Sequence, residues 1–337
     1  LDTPNHAELS QGVPTGFAMG VIDARTHDAI PMSLRIVSPF SGLEGAVTEN
    51  APLRSLTWFK VGGPARYLIQ PRSIDEAREA AVRCVEHNIP IYVLGRGANL
   101  LIRDEGVPGA VFKLDTPAFT ATSIDLKTGS VNVGAGVDLA KLILRTCRDG
   151  LSGLETLAGI PATVGGAIRM NAGGRFGDIG QVVGRVTVMD SQGHVFDRTR
   201  DDLVFEYRRT NIVAPFILGA TLGLDVDDPE AVTKRYKEIW MYKQNSQPLN
   251  ARSAGCMFRN PTGPLSAGAM IDQAGLKGFR IGQAEVSDRH ANFIVAHEGC
   301  TSADLLMLMK RVQERVADKF SVVLHPEVQV WPEPMTR

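Results

Sequence analysis

The sequence predicts an α+β or α/β fold spread over more than one domain, and three observations support this. Its 337 residues exceed what a single ordinary core organises, so two or three domains are expected. Strand-like and helix-like stretches alternate in the first half, and a hairpin joins later strands. Hydrophobic residues make up 44% and charged residues 22%, the balance of a globular protein.

Residues 1–50 mix Pro, Gly, Ser and His with short apolar scraps and hold no period of 2 or 3.6, so a weakly ordered extension is expected there. Order begins near Leu53. The alternating RYLIQP (66–71) reads as a strand. Ser73 and Glu76 form a capping-box pattern, after which Ile74, Ala77, Ala81, Cys84 and Val85 share one helical face. IPIYVLG (89–95), AVFKL (110–114) and SVNVGAG (130–136) read as further strands. A helix from about Asp138 to Arg148 stops at Gly150, the usual place for a terminating glycine. Residues 183–199 form two strands turned by Ser191-Gln192-Gly193, and 216–226 another strand. A helix with Pro229 in its first turn covers 229–243, and the domain boundary is expected near 227. The last helix, about Ser302 to Lys319, opens with Thr301 and Asp304 as a capping pair and lines Leu305, Met309, Val312 and Val316 along one face.

Bulk charge and cysteine usage exclude several function classes. The net charge of −1 supplies no field to attract nucleic acid or an anionic membrane. No apolar run approaches the roughly 20 residues that span a bilayer. The start lacks a basic-then-apolar leader, so a cytoplasmic protein is expected. Cys84, Cys147, Cys256 and Cys300 form no CxxC pair, and His290 and His297 lack metal spacing, so neither a disulfide framework nor a metal site is expected.

The most informative segment is GLETLAGIPATVGGAIRMNAGG (153–174). Six of its 22 residues are glycine and its only charges are Glu155 and Arg169. Such a run is poor helix and poor core, yet lacks the Ser, Lys and Glu of a solvated linker. It reads as backbone laid against a large, mostly apolar cofactor, which glycine can approach closely. GAGVDLA (134–140) has Leu139 where a dinucleotide fingerprint needs its third glycine, so it reads as a plain helix start. GRGANLLIRDEG (95–106) joins two strands, and its N–H groups suit a phosphate-binding nest.

Seven motifs, in order, carry a family resemblance. They are TWFKVGGPA (57–65), LGRGANLLI (94–102), the 153–174 segment, EYRRT (206–210), SAGCMFRNP (253–261), GLKGFRIGQAEVSDRHANFIV (275–295) and LHPEVQVW (324–331). From Leu53 to Trp331 the chain resembles the UDP-N-acetylenolpyruvoylglucosamine reductase (MurB) family of peptidoglycan synthesis, in its shorter subtype. The resemblance implies an FAD-binding domain of the vanillyl-alcohol oxidase (PCMH) type in two lobes over 51–227, and a C-terminal α+β substrate-binding domain over 228–332. It also implies noncovalent FAD, NADPH as reductant, and reduction of the enolpyruvyl ether of UDP-N-acetylglucosamine to UDP-N-acetylmuramate by a cytoplasmic enzyme, expected to be a monomer.

Matched residue by residue, the resemblance implies FAD contacts at Gly62, Gly63, Gly95, Gly97, Asn99, Leu100, Leu101, Gly159, Gly165, Gly166, Asn171 and Ala172. The matched catalytic positions are Arg208, Cys256 and Glu327. Tyr207, Lys243, Asn260, Lys277 and His290 are the implied substrate contacts. The chemistry accounts for the catalytic types. Hydride reaching C3 of the enolpyruvyl group builds negative charge at C2 and its carboxylate, which a fixed cation such as Arg208 stabilises. A neutral Glu327 helps hold the enol form, and Cys256 gives the proton to C2. The family commonly has serine at the position of Cys256, and a free thiol has a pKa near 8.5. A second departure is Thr57-Trp58-Phe59, where Asn-Thr-Phe is common.

Two other readings remain. One is a flavin oxidase of the same superfamily, although the absence of histidine between His27 and His87 removes the usual tether. The other is a nonenzymatic flavin module, favoured if Cys256 and Glu327 do not meet in one pocket.

Overall fold

The computed structural model describes residues 38–333. The first lobe is a four-stranded sheet built from β1 (Val47–Pro52), β2 (Pro64–Ile69), β3 (Ile91–Val93) and β5 (Val107–Phe112), in the order β1-β2-β5-β3. β1 runs antiparallel to β2, while β2, β5 and β3 are parallel. Helix α1 (Ile74–Glu86) covers it and buries Ala77, Ala80, Ala81 and Cys84. Ser73 caps this helix by accepting the Glu76 N–H at 3.1 Å. The other half of the expected box is diverted, because the Glu76 carboxylate binds Arg72. β4 (Leu100–Ile102) leaves this sheet and pairs in parallel with the strand Gln329–Trp331 from the far end of the chain.

The expected extension over 1–50 is corrected in its last part. Phe40 is 1% exposed and packs edge-on against Tyr67 at 4.9 Å, Leu43 is buried beside them, and β1 starts at Val47. Residues 1–37 lie outside the described residues.

The second lobe is a five-stranded antiparallel sheet. Its order is Val195–Thr199, Val183–Met189, Phe216–Gly223, β7 (Ser130–Gly134) and β6 (Thr122–Asp125). The short α2 (Pro117–Thr120) leads into it. Helix α3 (Leu139–Arg148), capped by Asp138, stops at Gly150 with φ +69°. The glycine-rich segment forms the short helix α4 (Val164–Arg169). Helix α5 (Pro229–Ser246) buries Val232 in the same core as Leu142, Cys147 and Leu151. The change of core therefore falls after α5 rather than near 227.

The third core belongs to the C-terminal residues. Helix α6 (Ala267–Gln273), three short antiparallel strands (Arg280–Ile281, Ala284–Val286, Ile294–Ala296) and α7 (Ser302–Phe320) enclose it. Thr301 and Asp304 complete a reciprocal capping box, and Leu305, Leu308, Met309, Val312 and Val316 are buried. Phe59, Val61 and Leu101 from the first lobe enter this same core. The C-terminal domain is thereby seated on the first lobe.

Because Phe40 fills a closed aromatic site, Phe40→Ala should cost about 3–5 kcal/mol of stability, measured by urea unfolding. Deleting residues 1–50, which also removes β1, should lower the melting temperature by at least as much as this single truncation.

Candidate active site

A cleft of about 1270 Å³ runs between the two lobes and the C-terminal domain. That exceeds the range of roughly 300–1,000 Å³ usual for one small ligand, and it gives room for a large cofactor and a substrate together. One wall is the loop Gly95–Asn99 that follows β3. Opposite stand Ala135–Asp138 and the glycine-rich Gly159–Gly166, and the C-terminal domain adds Ser253–Cys256, Glu327 and Gln329.

Local sterics explain the glycines of the first wall. Gly97 has φ +62°, and a Cβ there would stand 2.3 Å from the Leu56 carbonyl oxygen. A Cβ on Gly95 would stand 2.8 Å from Thr163 Oγ1, where the two lobes approach. Thr163 itself caps α4 by accepting the Gly166 N–H at 3.2 Å. Arg96 and Asp138 form an ion pair between the two lobes. Gly95, Gly97, Asn99, Leu100, Gly159, Gly165, Gly166 and Ala172 all line the cleft, as expected for residues laid against a cofactor.

The other four expected cofactor contacts do not line it. A Cβ on Gly63 would stand 2.2 Å from the Asp104 carbonyl oxygen, and one on Gly62 2.6 Å from Ile102 Cβ. These two glycines serve close packing of the loop against the end of β4. Leu101 is fully buried in the C-terminal core. The Asn171 side chain spans Glu206 and Gly180 instead.

Arg208, Cys256 and Glu327 reach the cleft from three separate segments. Arg208 sits at φ +58° in the turn of a tiny hairpin, Phe205–Glu206 with Arg209–Thr210. Its Nε donates to Glu327 Oε1 at 2.5 Å, with both side chains largely buried. Glu327 is fixed by its own N–H bonding the Met257 carbonyl at 2.8 Å, just before the strand that pairs with β4. Burial raises the Glu327 pKa above the ordinary carboxylate value even though Arg208 opposes the shift. For Arg208, burial works against the charge, but Glu327 more than offsets it and the pKa is raised.

Cys256 pairs as an isolated bridge with Phe293 and stands beside this ion pair. Burial, aided by Glu327, pushes its thiol up to about 12, well above the free-cysteine value expected from sequence. Such a thiol keeps its proton through neutral pH. Convergence of Cys256 and Glu327 on one cleft is the arrangement a mere binding module does not need.

Of the five expected substrate contacts, only Lys243 lines the cleft. It is 7% exposed on α5, and burial together with the nearby Arg208 lowers its pKa to about 8. Tyr207 is half exposed, with the Arg208 guanidinium 4.9 Å above its ring and its hydroxyl accepting the Asn260 N–H at 3.4 Å. The Asn260 side chain caps α6 through Ala267 N–H. Lys277 pairs with Asp272, and His290 packs on Phe293.

Among the polar residues of the cleft that sequence reasoning missed are Ser253 and Gln329. Ser253 carries a buried hydroxyl without a hydrogen-bond partner. Gln329 lies two residues after Glu327 in the C-terminal segment, a spacing that puts both on one side of extended chain and would have revealed it. The Gly95–Leu100 and Gly159–Gly166 lining, whose glycines pack close to Leu56, Ala135 and Thr163, and the orphan Ser253 hydroxyl fit a large, mainly apolar cofactor with polar groups at one end. Among the described residues no group of His, Cys, Asp and Glu is placed to hold a metal. No described helix is long and apolar enough to cross a membrane.

Comparison with known proteins agrees with this geometry. Residues 65–198 match the FAD binding domain family, and residues 247–331 match the C-terminal domain of UDP-N-acetylenolpyruvoylglucosamine reductase. The UDP-N-acetylenolpyruvoylglucosamine reductase of Desulfosudis oleivorans is 42% identical over 296 residues, covering 84% of this chain and 94% of the relative. That of Bacillus subtilis is 35% identical over 289 residues, covering 85% and 94%. The crystal structure of the reductase from Thermus caldophilus superposes with a TM-score of 0.72 at 39% identity, covering 84% of this chain and 98% of that one. With both domains matched in order and nearly the whole length of these relatives covered, the chain belongs to the UDP-N-acetylenolpyruvoylglucosamine reductase family.

Proposed function

We propose that this cleft reduces the enolpyruvyl ether of UDP-N-acetylglucosamine to the lactyl ether of UDP-N-acetylmuramate, with NADPH as reductant. The observation that carries the reading is the meeting of Arg208, Glu327 and Cys256 from three chain segments in one cofactor-sized cleft. Gly95–Leu100 and Gly159–Gly166 would hold FAD noncovalently, which when bound would supply hydride chemistry between NADPH and C3 of the enolpyruvyl group. Residues 39–246, including β1, carry that cofactor, and 247–331 closes over the substrate. Both NADPH and a nucleotide sugar are cytoplasmic metabolites, which places the reaction in that compartment.

The chain's own residues then handle charge and proton. Arg208 sits where negative charge grows on the substrate carboxylate, in a water-poor site that strengthens its effect. Glu327, its proton affinity raised by burial, donates a hydrogen bond to the same developing enol in its protonated form. Cys256 transfers its proton to C2, completing addition of hydride and proton across the double bond. Arg208 lowers the cost of the thiolate left behind, since it opposes the upward shift of the Cys256 pKa. Lys243, cationic below about pH 8 and without a salt-bridge partner among the described residues, binds a phosphate of the nucleotide.

The purified protein should be yellow, release its flavin on denaturation, be bleached by NADPH, and regain colour only when the enolpyruvyl substrate is added. Failure of substrate to restore colour would overturn the reading. Arg208→Lys should keep the flavin yet slow this reoxidation by about 10²–10³-fold, because an ammonium cannot replace the planar fork of donors.

Cys256→Ala should slow it by about 10²–10⁴-fold in stopped-flow traces, while Cys256→Ser retains most of the rate. Thiol alkylation should be slow at neutral pH, since the reactive thiolate is suppressed by a pKa of about 12.

The buried lysine sets a pH dependence with a definite sign. Its lowered pKa leaves it charged below about pH 8 and neutral above. The kcat/KM for substrate should therefore fall as pH rises through about 8, and Lys243→Met should remove that limb.

A further inference from the structure

The Arg208–Glu327 pair is held by two hydrogen-bonded connections to the cofactor-facing segments. On the Arg208 side, the supporting hairpin has only two residue pairs, Phe205 with Thr210 and Glu206 with Arg209. So short a ladder does not hold its own shape in water. Asn171, buried and at φ +40°, donates from Nδ2 to the Glu206 carbonyl at 3.0 Å and accepts the Gly180 N–H at 3.0 Å. Two residues earlier, the Arg169 guanidinium grips the carbonyls of Ile212, Ala214 and Pro215 at 2.5, 2.5 and 2.9 Å. The hairpin is thus bound to the end of α4 on both flanks.

On the Glu327 side, Asn99 in the Gly95–Asn99 wall donates from Nδ2 to the Glu327 carbonyl at 3.2 Å. Its own carbonyl accepts the Gln329 N–H at 3.1 Å, extending the parallel pairing of β4 by one step. We infer that Asn171 is a positioning residue, whose side-chain amide sets the geometry of Arg208 rather than binding the cofactor, and that Asn99, within the cofactor-lining wall, aligns Glu327 through its side-chain amide. The inference rests on the proposed role of this pair. It assigns to two asparagines of the flavin motifs a task that the motifs alone do not disclose. Each member of the pair is registered against a different wall of the cleft, so their relative placement follows the placement of the cofactor.

The test uses the holoenzyme carrying Asn171→Gly, which tolerates the positive φ and adds no charge. Asn171→Asp, which keeps the acceptor and the backbone tolerance but loses the donor, serves if the glycine variant does not fold. FAD dissociation constants should stay within about twofold of the native value, the spread expected for uncoupled sites. Substrate-driven reoxidation of the reduced flavin should slow by about tenfold or more, as misplacement of reacting groups by a fraction of an ångström to 1 Å does. The fall should appear in kcat more than in KM. The pH-rate limb of Glu327 should move to higher pH in Asn171→Gly, because Arg208 is what holds that pKa down. In an Arg208→Ala background, Asn171→Gly should add no further loss, since both act through one group. Native reoxidation rates, a loss of FAD affinity in step with the rate, or an additive loss in the double variant would each overturn the inference. Native-like reoxidation by Arg208→Ala alone would instead remove the role of the pair, and the inference with it.

Discussion

The structure of this site depends on one buried ion pair joining residues 119 apart in the chain, Arg208 and Glu327. Taking two such charges out of water costs several kcal/mol each in real proteins, and their attraction recovers this only with good geometry and added hydrogen bonds. The pair is therefore a poor source of stability and a demanding feature to build. Its location explains why it is built. In a cleft of low polarity a preorganised cation acts on developing negative charge far more strongly than it would in water. The same burial that makes the pair costly raises the carboxyl pKa of Glu327.

Holding that pair together shapes the larger architecture. Glu327 reaches the cleft because the last strand, Gln329–Trp331, adds to β4 in parallel register, Leu100 opposite Gln329 and Ile102 opposite Trp331. Leu101 of the same strand is committed to the C-terminal core together with Phe59 and Val61. The short β4 therefore has two functions, seating the C-terminal domain and aligning the segment that carries the carboxylate. The second lobe is anchored to α5 in a parallel fashion. Glu155, buried at the start of the glycine-rich segment, pairs with Arg235 at 3.0 Å. That anchor helps place α5, from which Lys243 points into the cleft.

How much of this was legible in the sequence follows from the range of the forces involved. Periodicity and caps are local, and they located α1, α3, α5 and α7, including the Thr301–Asp304 box and the glycine stop at Gly150. β1 escaped because VTENAP is an edge strand with one buried residue, Ala51, and so shows no alternation to read. Phe40 escaped because a single aromatic in a Pro- and Gly-rich stretch gains its place only from Tyr67 and the sheet beneath it. The boundary near 227 was misplaced because the turn before Pro229 resembles a linker, while Val232 is captured by the preceding core.

The site divides along the same line. Motifs identified Arg208, Cys256, Glu327 and Lys243, and all four reach the cleft. Motif membership did not separate residues that face a ligand from residues that brace those that do. Gly62 and Gly63 pack against Ile102 and Asp104, Leu101 lies in the C-terminal core, and Asn171, Asn260 and His290 contact Glu206, Ala267 and Phe293.

Cys256 shows the opposite limit, a residue whose chemistry is rewritten by its surroundings. A free thiol is far more acidic than an alcohol, and a cysteine in place of serine would then tend to surrender its proton before the reaction asks for it. Here burial and the adjacent Glu327 push the thiol to about 12. The enclosure thus brings the cysteine toward the behaviour of the hydroxyl that its family relatives commonly place there. In the proposed reaction a proton held that firmly would stay in place until basic charge develops on the substrate carbon, with Arg208 offsetting part of the cost of the thiolate. On this account the substitution is tolerated because the pocket, more than the side chain, sets the proton affinity of the donor.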